Sequence, residues 1–153
     1  MKRILIDLDV LTIALWKGDN KKIAVEFLSK VKNEEFYIIT PFTLLELLLE
    51  WKNTALRDKI KEFYLEYSED ILTERKVYAS FDKISNIFGV AEEIMNIGVK
   101  DEDALLVIIC SIFDIDYLVT FNRRHLKNNK EKINEVLKKN GLKTIKIVEP
   151  NEI

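Results

Sequence analysis

The chain of 153 residues holds one cysteine, one histidine, four glycines and two prolines. Cys110 alone cannot close an intramolecular disulfide, and its solitude excludes cysteine-rich zinc sites and CxxC redox chemistry. So few glycines and prolines argue against a turn-rich all-β fold and for long helices. Charge of one sign is also lacking. Twenty-four basic against 26 acidic residues give a net charge of −2, which excludes the uniformly basic surface of a protein that coats nucleic acid. No long apolar run is present either: the stretch from Ile4 to Leu11 is interrupted by Asp7 and Asp9, so it reads as neither a signal peptide nor a membrane span. A soluble, cytoplasmic protein with no membrane partner is the expectation.

What is present is a hydrophobic content of 48%, enough for a sizeable core, and a length that suits a single domain over residues 1–153. Short apolar runs at residues 3–7, 36–40, 117–120 and 144–148 read as strands. Between them, apolar residues at helical spacing mark helices: Ile23 to Val31 after a cap at Asp19 or Asn20, Leu56 to Tyr67, Ile84 to Met95, about 101–113, and 130–140 closed by Gly141. Thr40-Pro41 reads as a helix start, an oxygen at the cap with proline behind it, for a helix reaching about Lys52. Residues 69–80 fit strand, helix or loop equally. Strands alternating with helices predict an α/β, three-layer fold with a short, mostly parallel central sheet flanked by helices.

The acids stand out against this frame. Asp7 and Asp9 follow the apolar strand Ile4-Leu5-Ile6, at the carboxyl end where open α/β sheets place their ligands, although either one also suits the cap of a following helix. Glu46 lies in Leu44-Leu45-Glu46-Leu47-Leu48-Leu49, whose leucines point in nearly every direction, so the helix reads as buried all round and the Glu as in need of a cation. Glu50, one turn on, reads as solvated or supporting. In Lys100-Asp101-Glu102-Asp103, each acid suits the first turn of a helix. Asp103, nearest the apolar run, is best placed to point at the sheet edge, with Asp101 the second choice. After the third strand, Asn122 offers either a neutral oxygen for a hard cation or a simple helix cap. Arg123, Arg124, Lys127 and Lys130 follow it and suit RNA phosphates, a solvated helix face or the neutralising of nearby acids. His125 reads as structural through a hydrogen bond, Cys110 as core, and Trp16 and Trp51 as packing or partner contacts in preference to base-stacking platforms. Carboxylates without histidine or cysteine partners select Mg²⁺ or Mn²⁺ over zinc, and such ions suit a substrate that carries phosphate.

Five segments, LIDLDVL, TPFTLLEL, DEDALLV, LVTFNRRHL and a final strand ending in VEP, occur in that order over nearly the whole chain. In them the sequence resembles the PIN domain family, including the VapC-like toxin ribonucleases of toxin-antitoxin pairs. The resemblance implies Asp7, Glu46 and Asp103 as catalytic, metal-binding acids, with Asn122 beside them, and Thr120 as a residue that orients groups around the site. The family usually has Asn where this chain has Asp9 and often has Asp where it has Asn122. The implied activity is hydrolysis of single-stranded or looped RNA, and the implied partners are an antitoxin protein and a second copy of the chain through residues 42–67. Two other readings remain: a PIN scaffold that binds RNA or protein without cutting it, and a haloacid dehalogenase-like phosphatase, whose first motif resembles Ile6-Asp7-Leu8-Asp9 but continues with Gly-Thr where this chain has Val10-Leu11.

Overall fold

The computed structural model describes residues 1–153. In chain order the elements are β1 (Lys2–Ile6), α1 (Leu8–Leu15), α2 (Lys21–Lys32), β2 (Phe36–Pro41), α3 (Phe42–Leu49) and α4 (Thr54–Tyr67). They continue with β3 (Asp70–Leu72), α5 (Glu74–Phe81), α6 (Ile87–Asn96), α7 (Asp101–Ile112), β4 (Tyr117–Val119), α8 (Lys130–Lys139) and β5 (Lys146–Val148). Short 3-10 turns at Lys127–Asn129 and Pro150–Glu152 complete the chain. No helix is long and apolar enough to cross a membrane.

All five strands run parallel, in the order β3-β2-β1-β4-β5. The order explains why β1 reads as an unbroken apolar run. Ile4, Leu5 and Ile6 are completely buried because helices cover both faces of the strand, so alternation with polar residues would leave side chains unsatisfied. Ile4 pairs with Ile38 on one side and with Tyr117 on the other. Right-handed crossovers then place the helices that follow β1 and β2 on one face and those that precede and follow β4 on the other. The packing agrees: α1 lies against α2 and α4, whereas α6 lies against α7 and α8.

The chain leaves β1 for one edge and returns to its other side at β4, so the direction of winding reverses between these two strands. Crevices in doubly wound sheets open at this point, beyond the carboxyl ends of the strands. Asp7 and Thr120 are the first residues past those ends.

Several expected boundaries move. Pro41 is the last residue of β2 and itself the cap of α3, because the Thr40 hydroxyl is bonded to the Ser68 hydroxyl at 2.7 Å and caps nothing. α3 stops at Leu49, since Asn53 begins the next helix by accepting the Leu56 N–H at 3.1 Å. The segment at 69–80 resolves into β3, only three residues long, and α5, capped by the Thr73 hydroxyl. Ile84 falls in the turn before α6, which starts after Asn86 in a left-handed conformation (φ 58°).

Candidate active site

One face each of α1, α3 and α7 borders a cleft of about 630 Å³ at the carboxyl edge of the sheet. From α3 come Thr43, Glu46, Leu47 and Glu50, whose spacing of three, four and seven residues puts them on one side of a helix. Asp7, Asp9, Thr12 and Ile13 border it from the β1–α1 junction, and Lys100, Glu102, Asp103 and Leu105 from the start of α7. Asn122 completes it from the loop after β4. The cleft therefore gathers six carboxylates around a single lysine.

Asp7 does two things at once. Its Oδ1 caps α1 by accepting the Leu8 N–H at 2.8 Å, and its Oδ2 accepts the Thr120 hydroxyl at 2.9 Å. Its own N–H continues the ladder by donating to Val119 O at 2.9 Å. Thr120 is fully buried, leans also toward Asp9 Oδ2 at 3.3 Å, and accepts the Asn122 N–H at 3.0 Å. The Phe121 N–H donates to Asp9 Oδ2 at 3.1 Å. From the helical side, the fully buried Tyr64 hydroxyl donates to the Ile6 carbonyl at 2.7 Å, fixing the strand end one residue before Asp7.

Burial and mutual repulsion act on these acids together. Loss of water raises the Asp7 carboxyl above its ordinary range, against the pull of its Thr120 and Leu8 hydrogen bonds. Burial first and the Asp7 charge second raise Asp9. Asp103 is pushed up to about 6 by burial and by Asp7, while His125 pulls the other way. Burial, then the Asp7 charge, also raises the thiol of Cys110, which sits in the core as its apolar setting implies. Acids held in this state lower their energy when a cation joins them.

Asp9 Oδ1 is buried and has no hydrogen-bond donor, and Thr43 Oγ1, on the same cleft, is buried with no partner. No three His, Cys, Asp or Glu side chains are gathered tightly enough to form a ready-made metal site. The donors on offer are carboxylate oxygens with no sulfur or imidazole among them. Together with the orphaned oxygen of Asp9, this chemistry fits a hard divalent ion.

Three sequence readings change in the structure. Glu46 is exposed, not enclosed: α3 turns Leu44 and Leu48 into the core, which puts Glu46 on the far side, and Leu49 is 67% exposed. Asn122 turns its amide nitrogen to the acids, donating to Asp103 Oδ2 at 3.2 Å, because its oxygen accepts the His125 N–H at 3.0 Å. It holds an acid in place, while its oxygen is turned to the loop. Asp101 faces away, exposed, with Oδ1 accepting the Glu102 N–H at 2.9 Å, whereas Glu102 lines the cleft. Nothing in the sequence separates Glu102 from an ordinary dipole partner of α7. Its neighbour Lys100 and the more distant Glu50 also join the lining.

The basic run is divided. Arg123 Nε and Lys127 Nζ each lie 2.7 Å from a carboxylate oxygen of Glu149, and Lys127 also reaches Glu152. Their charges neutralise these nearby acids, which is one of the two structural roles the sequence allows them. Arg124 is exposed and forms no ion pair. His125 Nδ1 meets the Gly98 carbonyl at 2.9 Å, the structural bond expected of it, tying the β4–α8 loop to the turn before α7.

The Arg123 hydrogen bond, then that of Lys127, holds the Glu149 carboxyl below its ordinary 4.5 even though burial opposes them. A carboxyl lowered in the folded state contributes stability above its unfolded value and loses that contribution as pH falls through the folded one. Glu149→Gln is expected to lower stability by about 1–2 kcal/mol at neutral pH, or roughly 2–8 °C in Tm. Melting curves across pH check this, because the gap between the two proteins should close in acid.

Searched by sequence, the chain matches no family model and no curated protein. Solved structures do match its fold. VapBC2 from Rickettsia felis, bound to a DNA fragment from its promoter, aligns over 95% of this chain and 97% of the other, with a TM-score of 0.55 at 13% identity. FitAB bound to an IR36 DNA fragment aligns over 98% and 96%, with a TM-score of 0.58 at 12% identity. The architecture is the α/β, three-layer PIN-like fold that the ordered motifs imply.

Proposed function

We propose that this protein is a cytoplasmic, Mg²⁺- or Mn²⁺-dependent endoribonuclease that hydrolyses RNA phosphodiester bonds and serves as the toxin of a toxin-antitoxin pair. The observation that carries the reading is the acidic cleft at the β1–β4 switch point, where Asp7 and Asp9 meet Thr120 and one buried oxygen of Asp9 has no donor. VapBC2 and FitAB, which share the fold, support the toxin-antitoxin setting and an antitoxin partner. A homodimer through α3 and α4 belongs to the same reading and is supported by the exposure of Leu49 and Leu65.

Asp7, Glu46 and Asp103 would hold the ion, with Asp9 as the supporting acid. The chemistry that such an ion supplies is Lewis-acid activation of water and of the phosphoryl group. Thr120 keeps one oxygen of Asp7 oriented, and the Asn122 amide does the same for Asp103. Glu46, exposed on the middle of the two-turn α3, borders the same cleft as the buried pair. Incubating the purified protein with labelled RNA, with and without Mn²⁺, tests the reading: metal-dependent cleavage supports it, and intact RNA in both arms overturns it. Hydrolysis of a simple phosphomonoester in place of RNA would assign the site to a phosphatase.

A further inference from the structure

The cleft sets a problem for any polyanion. Six carboxylates line it, Lys100 is the one cation among its lining residues, Arg123 and Lys127 are paired with Glu149, and the unpaired Arg124 lies outside the lining. Backbone phosphates distant from the bound ion would gain little there. An RNA held in this cleft needs an attraction that does not depend on charge.

The cleft also has an apolar wall, formed by Ile13, Leu47 and Trp51. Trp51 follows α3, packs against the core and is only half-buried, so part of its indole faces open space. No other aromatic ring stacks on it. Trp16 differs: it is 46% exposed, lies outside the cleft and carries Lys17 over its ring. A rigid aromatic beside a phosphate-cutting centre provides a flat surface that any base can cover.

We infer that Trp51 is the stacking platform for an unpaired nucleobase next to the scissile phosphate, an assignment that rests on the ribonuclease reading and gives the unpaired bases of its substrate a contact residue. A base inside a duplex is already stacked on both sides and cannot reach the indole. Stacking replaces the missing cations as the source of grip. Because few phosphates are contacted, RNA affinity changes little with salt, in contrast to proteins that hold the backbone.

The test uses the full chain carrying Trp16→Phe, so that Trp51 alone fluoresces, in Mg²⁺. A short single-stranded oligoribonucleotide quenches this emission, whereas a duplex of the same sequence and an oligomer of abasic ribose phosphates do not. Trp51→Leu weakens oligonucleotide binding about tenfold by fluorescence anisotropy. Trp51→Phe keeps most of the affinity, and the Mg²⁺-induced rise in Tm stays unchanged in both, which shows that the fold and the ion site are intact. Unaltered emission on adding the single strand, equal quenching by the abasic oligomer, or full affinity in Trp51→Leu each overturns the assignment. The outcome stands apart from the ribonuclease reading, because quenching is read whether or not the unsubstituted protein cuts RNA.

Discussion

Asp7→Asn is expected to reduce Mn²⁺-dependent RNA cleavage by about a thousandfold, equivalent to roughly 4 kcal/mol of transition-state stabilisation. Asp7 stands at the end of β1 with one oxygen on the helix and the other on Thr120, so no other acid in the cleft can take its place. Asparagine keeps the shape and is itself a favoured helix cap, so α1 remains capped. It also removes one charge from a cluster already raised by burial and repulsion. The metal-free variant should therefore melt no lower than the unsubstituted protein. With Mn²⁺ at a hundred times its Kd, the unsubstituted protein gains about 2.7 kcal/mol, and Asp7→Asn should lose most of that gain. Thermal melts with and without Mn²⁺, run beside the cleavage assay, separate lost chemistry from lost folding. Full activity in Asp7→Asn would remove it from the centre altogether.

Thr120→Val carries the second largest effect. Valine matches threonine in shape, so the buried position stays filled, but the Asp7 oxygen loses its donor and the Asn122 N–H loses its acceptor. An acid without that donor is harder to keep ionised and oriented. Partners of this kind typically change metal affinity ten- to a hundredfold. The expected signature is an Mn²⁺ requirement shifted upward by that factor, with activity largely restored at high Mn²⁺ and by Thr120→Ser. Asp7→Asn should show no such recovery. A Thr120→Val protein with an unchanged Mn²⁺ titration would mean that the hydroxyl serves packing alone.

The strands that position the site were legible because each is a short apolar run interrupted by acids or turn residues, as in Ile4-Leu5-Ile6-Asp7. β3 was not, since Asp70-Ile71-Leu72 is too short to show any period and borrows its strand character from pairing with Ile39, Thr40 and Pro41. Glu46 was found by its leucine surroundings, but the inference about its burial fails because a helix of two turns covers only one side. Continuous leucine in so short a helix leaves some of it in water, as Leu49 shows. Which acid Arg123 and Lys127 would neutralise was not legible, because Glu149 comes from beyond β5 and meets them only across the β4–β5 pairing. The direction of the Asn122 amide was equally hidden. It depends on which neighbour claims the oxygen, and the His125 N–H does.

The bond from Thr120 to Asp7 joins residues 113 positions apart, and β1 meets β4 only when most of the chain is present. A nascent chain on the ribosome therefore leaves the Asp7 and Asp9 carboxylates without their Thr120 donor until β4 has left the exit tunnel and paired with β1.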